Sequence, residues 1–188
     1  MAEFKKSIVL TMKYEGFDVY TDISSDRGGA TKWGISLNFA KGTNDLDIFD
    51  LDNDGQITKK DISLLDSEKA LEIYKEYFWD IAWLDTLESD KKAFIFFDAI
   101  VNHGLRNATG LLQKTLIQMG YKLVFDRAFG KNTFGALQEA DEAQFIDVFL
   151  EKRKNFFLKI VENNPSQNKF IKGWLNRIQW CKRDVEKL

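Results

Sequence analysis

One proline, one cysteine and one histidine are spread over 188 residues, and no run of eighteen apolar residues occurs. The lone Cys181 excludes an intrachain disulfide and reads as a packed thiol in a helical stretch beside Trp180. A single histidine, His103, excludes a histidine metal cluster, and with Cys181 far along the chain no Cys/His nucleophile pair is available. Serine catalysis has no supporting motif. The missing apolar run excludes a membrane-spanning helix. Charge of neither sign dominates: 27 Lys and Arg stand against 29 Asp and Glu, so there is no electrostatic case for nucleic acid or for insertion at an anionic membrane. The opening MAEFKKSIVLTMKYEG reaches Lys13 and Glu15 before any long apolar core forms, and no small-residue cleavage site follows. It reads as a mature helix and not as a signal peptide, so the chain is expected to be cytoplasmic as made.

What is present is apolar and aromatic. With 44% apolar residues, 16 Phe and 5 Trp on long stretches of helical period, the chain has a core's worth of side chains and reads as mainly α. Phe4, Ile8, Val9 and Met12 form a first helical stripe, and Glu15 falls one turn later with Gly16 suited to the left-handed position after a helix. The segment of about 17–36, with Gly28 and Gly29 between β-branched and aromatic residues, reads as a small β-hairpin. Ser67 is a plausible cap for a helix carrying Ala70, Leu71, Tyr74, Tyr77 and Phe78 on one face. KKAFIFFDAIVNHG is apolar almost all round, which predicts a central buried helix stopped at Gly104. Further helices are expected over about 107–119, 132–140, 142–163 and 167–186, the last two parted near Pro165.

The sharpest local shift in composition is DLDNDGQITKKD, residues 50–61. Asp50, Asp52, Asp54, Gly55, Ile57 and Asp61 fall on positions 1, 3, 5, 6, 8 and 12 of the EF-hand pattern. Alternate carboxylates converge on a hard cation, the glycine turns the chain, and the Gln56 carbonyl adds a ligand. Four carboxylates in twelve residues repel one another without a cation, although an acidic turn held by Asx hydrogen bonds is the plainer alternative. The expectation is a structural Ca²⁺ held by Asp50, Asp52, Asp54, Gln56 and Asp61, with no cofactor for catalysis. No second copy of the loop exists, which argues against a paired sensor.

A carboxylic acid at a helix C-terminus, in an apolar setting, can stay protonated near neutral pH and donate that proton to a glycosidic oxygen. Glu15 meets that requirement, and Asp22, Asp26 and Thr31 are candidates for the group across the sugar. Local sequence alone leaves Glu15 open between this role and a solvated surface acid.

The order Glu15-Gly16, DRGGATKWGIS, YKEYFW, FFDAIVNHG, LLQKTL, DRAFGKNT and FIKGWLNRI resembles glycoside hydrolase family 108, lysozyme-like N-acetylmuramidases with a C-terminal peptidoglycan-binding segment. Some members are called putative secretion activator proteins. The resemblance implies a mainly α, two-lobe lysozyme-like fold with a small hairpin and the calcium loop as an insertion. It divides the chain into a catalytic part, 1–100, and a helical peptidoglycan-binding part, 101–188, packed into one compact body. It further implies cleavage of the β-1,4 bond between N-acetylmuramic acid and N-acetylglucosamine, with Glu15 as the acid. Asp26 is then first choice for activating water, with Thr31 and Asp22 behind it. Trp33 is expected to stack on a sugar or to pack, and Asp98 and Asn102 to line the cleft or to form a satisfied buried network. Phe17 stands where the family has a second glycine, and Arg127 and Lys131 stand where it has glycine and proline. The expected partner is bacterial peptidoglycan, reached from the cytoplasm after release or export by another system, as an endolysin is. The protein is expected to be a monomer. The rival readings are a lytic transglycosylase, which leaves anhydro-sugar ends, and a calcium-dependent wall-binding protein without catalysis.

Overall fold

The computed structural model describes residues 1–15, 18–22 and 28–188, and of Glu15 the backbone alone. Its first helix, α1 (Phe4–Glu15), forms where the stripe predicts it. Val9, however, is 58% exposed, and the buried face is made instead by Ser7, Ile8, Leu10, Thr11 and Met12. The position expected for Gly16 lies outside the described residues.

Contacts divide the chain into two compact units, Ile8–Tyr77 and Met1–Ser7 with Phe78–Leu188. Among the described residues of the first unit the hairpin consists of two short strands. Strands β1 (Thr31–Lys32) and β2 (Ile35–Ser36) pair antiparallel, Thr31 with Ser36 and Lys32 with Ile35, and Thr21 adds a single bridge to Thr31. Trp33 and Gly34 both take positive φ, 54° and 75°, the two-residue turn that suits the twist of a tight hairpin. Ser36 caps α2 (Leu37–Thr43), and Asp45 caps the single turn α3 (Leu46–Phe49). After the acidic loop come α4 (Lys59–Leu64) and α5 (Ser67–Tyr74). The cap of α5 is Asp66, whose carboxylate accepts from Lys69 N, and Ser67 is the first helical residue; the carboxylate one position earlier reaches the free amides better than the hydroxyl.

In the second unit α6 (Asp90–His103) is buried from Lys92 to Ile100 and ends at Gly104, φ 73°, as a helix apolar on all sides must be. It packs against α7 (Leu105–Gln118) and α9 (Glu142–Asn163), and α9 packs in turn against α10 (Asn168–Asp184). The short α8 (Lys131–Glu139) lies on α7. A turn of 3₁₀ helix at Pro165–Gln167 separates α9 from α10, because proline has no amide to continue the ladder. Phe4 inserts its ring edge-on between Trp79 and Phe97, and Phe96, Phe145 and Phe149 fill the space between α6 and α9.

Candidate active site

Glu15 is the last residue of α1, where the helix dipole disfavours an anion; its side chain and all of Asp26 lie outside the described residues. One and two turns upstream, Ile8, Met12 and Lys13 line a cavity of about 240 Å³ with Trp33 of the hairpin and with Ala70 and Leu71 of α5. Its walls are almost wholly apolar. The left-handed backbone of Trp33 is held by Tyr74, whose hydroxyl donates to the Trp33 carbonyl at 3.0 Å, offsetting a conformation that costs a non-glycine residue about 1 kcal/mol. The indole Nε1 is buried and has no hydrogen-bond partner among the described residues. Thr31 is half-buried and its hydroxyl donates to the Gly29 carbonyl at 3.3 Å. The Asp22 carboxylate is paired with Lys59 at 2.7 Å, an exposed contact.

The acidic loop has part of the expected geometry. One oxygen from each of Asp50, Asp52 and Asp54 lies within 4.8 Å of the others, and Asn53 and Gly55 take the positive φ that the turn needs. Asp50 accepts from the amides of Asp54 and Gly55. Asp61 departs from the expectation. One of its oxygens accepts from the Leu51 and Asp52 amides, and the other from the amide and hydroxyl of Thr58 at 2.7 and 3.0 Å. Four hydrogen bonds occupy a carboxylate's lone-pair sites, so in this arrangement Asp61 closes the loop and caps α4. Burial raises its pKa, but those four donors outweigh burial and hold it below the ordinary value. The expected repulsion is also relieved without a metal, since Lys60 Nζ lies 2.7 Å from Asp52. The oxygens of Asp50, Asp52 and Asp54 lie close enough together that they could hold a cation.

Asp98 is not at a substrate surface. It is fully buried, and Arg177 grips both its oxygens, Nη2 to Oδ1 at 2.8 Å, while Arg153 Nη2 donates to Oδ2 at 2.8 Å and Cys181 Sγ to Oδ2 at 3.2 Å. Burial alone raises the pKa of such a carboxyl, but the charges and hydrogen bonds of Arg177 and Arg153 outweigh it and hold the group well below the usual range. Arg153 Nε in turn donates to His103 Nε2 at 3.2 Å. Burial, then the Arg153 charge, lowers the His103 pKa to about 3, so the ring stays a neutral acceptor. Burial pushes the Cys181 thiol up, keeping it protonated as a donor. Asn102, on the same helix, is half-buried with its Oδ1 unpartnered among the described residues.

Sequence reasoning missed Gln113. It is buried on α7, and its carbonyl oxygen accepts from the Asp126 and Arg127 amides at 3.2 and 2.9 Å. Its amide donates to Asp126 Oδ1 at 2.7 Å and to the Ala128 carbonyl at 3.2 Å. Every polar atom of the side chain is spent on the DRAFGKNT turn, beside a cavity of about 390 Å³ that Lys122, Asp126, Lys131 and Thr133 also line. Arg127 has φ 60°, a left-handed backbone that glycine takes more readily than arginine.

Among the described residues the chain is mostly helical with a small two-stranded antiparallel sheet, an architecture consistent with a lysozyme-like fold. The chain belongs to the glycosyl hydrolase 108 family, whose sequence profile matches residues 8–104. A second profile, described as a predicted peptidoglycan domain, matches residues 107–179. The chain is therefore a glycoside hydrolase that acts on peptidoglycan. Among solved structures, that of Brucella abortus SagA is similar at 23% identity, covering 97% of this chain and 94% of that one with a TM-score of 0.75; this is a shared fold. A comparison with curated proteins gives no match. No described helix is long and apolar enough to cross a membrane.

Proposed function

We propose that the chain is an N-acetylmuramidase in which Glu15 protonates the leaving oxygen of the β-1,4 bond between N-acetylmuramic acid and N-acetylglucosamine. The observation that carries this is the place of Glu15, at the C-terminal end of the helix whose preceding turns form an apolar cavity with Trp33. A helix C-terminal end favours the protonated acid. Trp33 offers an apolar face to the C–H side of a sugar ring and an indole N–H with no partner among the described residues. Asp26 is first choice for activating water. Asp22, tied to Lys59, and Thr31, tied to Gly29, stand behind it. If none of these carboxylates is needed, the single acid works with water held by hydroxyl groups.

Digestion of purified peptidoglycan by wild type and Glu15→Gln, with mass analysis of the products, tests this. Reducing muropeptides from wild type alone are expected. Anhydro-sugar ends would assign a lytic transglycosylase, and equal turnover by the variant would remove Glu15 from the role.

We propose in addition that the loop of residues 50–61 takes Ca²⁺ weakly, through Asp50, Asp52, Asp54 and the Gln56 carbonyl, as a structural ion. The ion would neutralise three carboxylates and stiffen the chain before α4; it has no part in bond cleavage. Adding Ca²⁺ to chelator-treated protein should raise the thermal midpoint, and Asp52→Asn should abolish the rise. An unchanged midpoint would end the proposal.

A further inference from the structure

The peptidoglycan-binding half carries a second groove, between α7 and α9, that no role yet accounts for. It measures about 370 Å³ and is lined by the apolar Leu111 and Phe156, by three lysines, Lys114, Lys152 and Lys159, and by Glu162. Positions 152, 156 and 159 share one face of α9 by helical spacing, and Lys114 enters from α7. Among the described residues no carboxylate pairs with any of the three ammonium groups; Lys114 lies over the Phe125 ring at 4.9 Å. Three like charges in one groove repel one another, and folding alone gains nothing from that placement. Charge over the whole chain leans the same way. Residues 1–106 hold 13 Lys and Arg against 20 Asp and Glu, while residues 107–188 hold 14 against 9, so an anionic polymer meets least repulsion in the second half.

We propose that this groove docks the carboxylates of peptidoglycan stem peptides, retaining the wall by charge while Glu15 cleaves the glycan; the inference rests on the muramidase reading above. The glycan strand itself presents mostly neutral hydroxyl and acetamido groups, whereas each stem peptide ends in free carboxylates joined by short aliphatic stretches. The apolar and the cationic lining residues match those two parts. Lysines, as point charges on flexible stems, tolerate the varied positions that carboxylates take in a cross-linked mesh. Asn155, beside Phe156, adds an amide that can pair with a peptide backbone.

Pelleting with purified peptidoglycan tests the assignment, using wild type, the triple variant Lys114→Gln/Lys152→Gln/Lys159→Gln, and Lys154→Gln as a control on α9 outside the groove. Each is run on wall with free carboxylates and on wall whose carboxylates have been amidated. The triple variant should bind free-carboxylate wall about tenfold more weakly, as expected for three exposed ion pairs together, and wild-type binding should fall with salt. On amidated wall the wild type should drop to the level of the variant. An unchanged thermal midpoint in the triple variant shows that it is folded. Equal binding by wild type and variant, or wild-type binding indifferent to amidation, overturns the proposal. So does a lysine dependence that survives amidation and disappears only when phosphate polymers are stripped from the wall, which would assign the groove to phosphate. Wild-type hydrolysis of glycan strands stripped of their peptides is scored separately; its failure would overturn the muramidase reading and not the docking result.

Discussion

Asp98 shows how one residue can be open in a sequence between lining a cleft and joining a buried network, and be the second in the fold. A carboxylate in the middle of an apolar helix signals something unusual, but its arginines lie 55 and 79 positions away, so nothing local separates a cleft residue from a buried ion pair. The pair now predicts its own cost. Asp98→Asn removes the buried carboxylate charge that Arg153 and Arg177 both contact, and should destabilise the protein by about 3–5 kcal/mol in urea unfolding. His103 gives a pH signature. Its folded pKa of about 3 lies below its ordinary 6.5, so the unfolded chain binds the extra proton, and stability is fully present above pH 6.5 and lost as pH falls from there toward 3. Between pH 7 and pH 5 the loss should be about 2 kcal/mol. His103→Gln, which keeps an acceptor for Arg153 without the titration, should flatten that fall; an unchanged slope would remove His103 as its cause. Asp98, also depressed, adds its loss only below about pH 4.

At the scale of elements, the long helices were legible, while the short α2, α3 and α4 and the attachment of the helices to one another were not. The all-round apolar pattern of α6, the break at Pro165 and the stop at Gly104 came from local chemistry, and the structure keeps each of them. The cap of α5 moved by one residue and Val9 turned outward, because tertiary packing chooses among faces that periodicity leaves equivalent. Gln113 was invisible for a related reason, since a glutamine on an amphipathic helix reads as part of its polar side. Yet α8 depends on it. The N-terminal end of that helix has no side-chain cap and leans on the turn that Gln113 organises. At its C-terminal end the buried ammonium of Lys92 donates to the carbonyls of Leu137, Gln138 and Ala140 at 2.9–3.0 Å. Gln113→Leu should cost about 2–3 kcal/mol, since it strands the two amides that bond to Gln113. Hydrogen exchange at Asp126 and Arg127 should quicken well before the rest of the molecule opens.

At the scale of the whole molecule, the packing boundary and the family boundary disagree. The hydrolase profile runs to residue 104 and the wall-binding profile starts at 107, but α6 packs with α7 and α9, in the unit that begins at Phe78. A fragment of residues 1–104, cut where the families meet, would carry Asp98 without Arg153, Arg177 or Cys181. It should lack cooperative unfolding and dispersed amide spectra, and a folded, two-state fragment would contradict the claim that Asp98 belongs structurally with α9 and α10.

The ion pair across that seam also bears on how such a chain can be inherited or engineered. Exchanging the wall-binding half for an unrelated one at residue 105 would present the incoming helices with a buried anion they were never selected to meet. Only donors that bring an arginine at both matching depths would be accepted. A lineage can therefore trade whole chains of this type, or alter the exposed lysines singly, far more readily than it can shuffle the two halves, and a designer grafting a new wall specificity should keep Asp98 with its arginines and Met1–Ser7 with the unit that holds them.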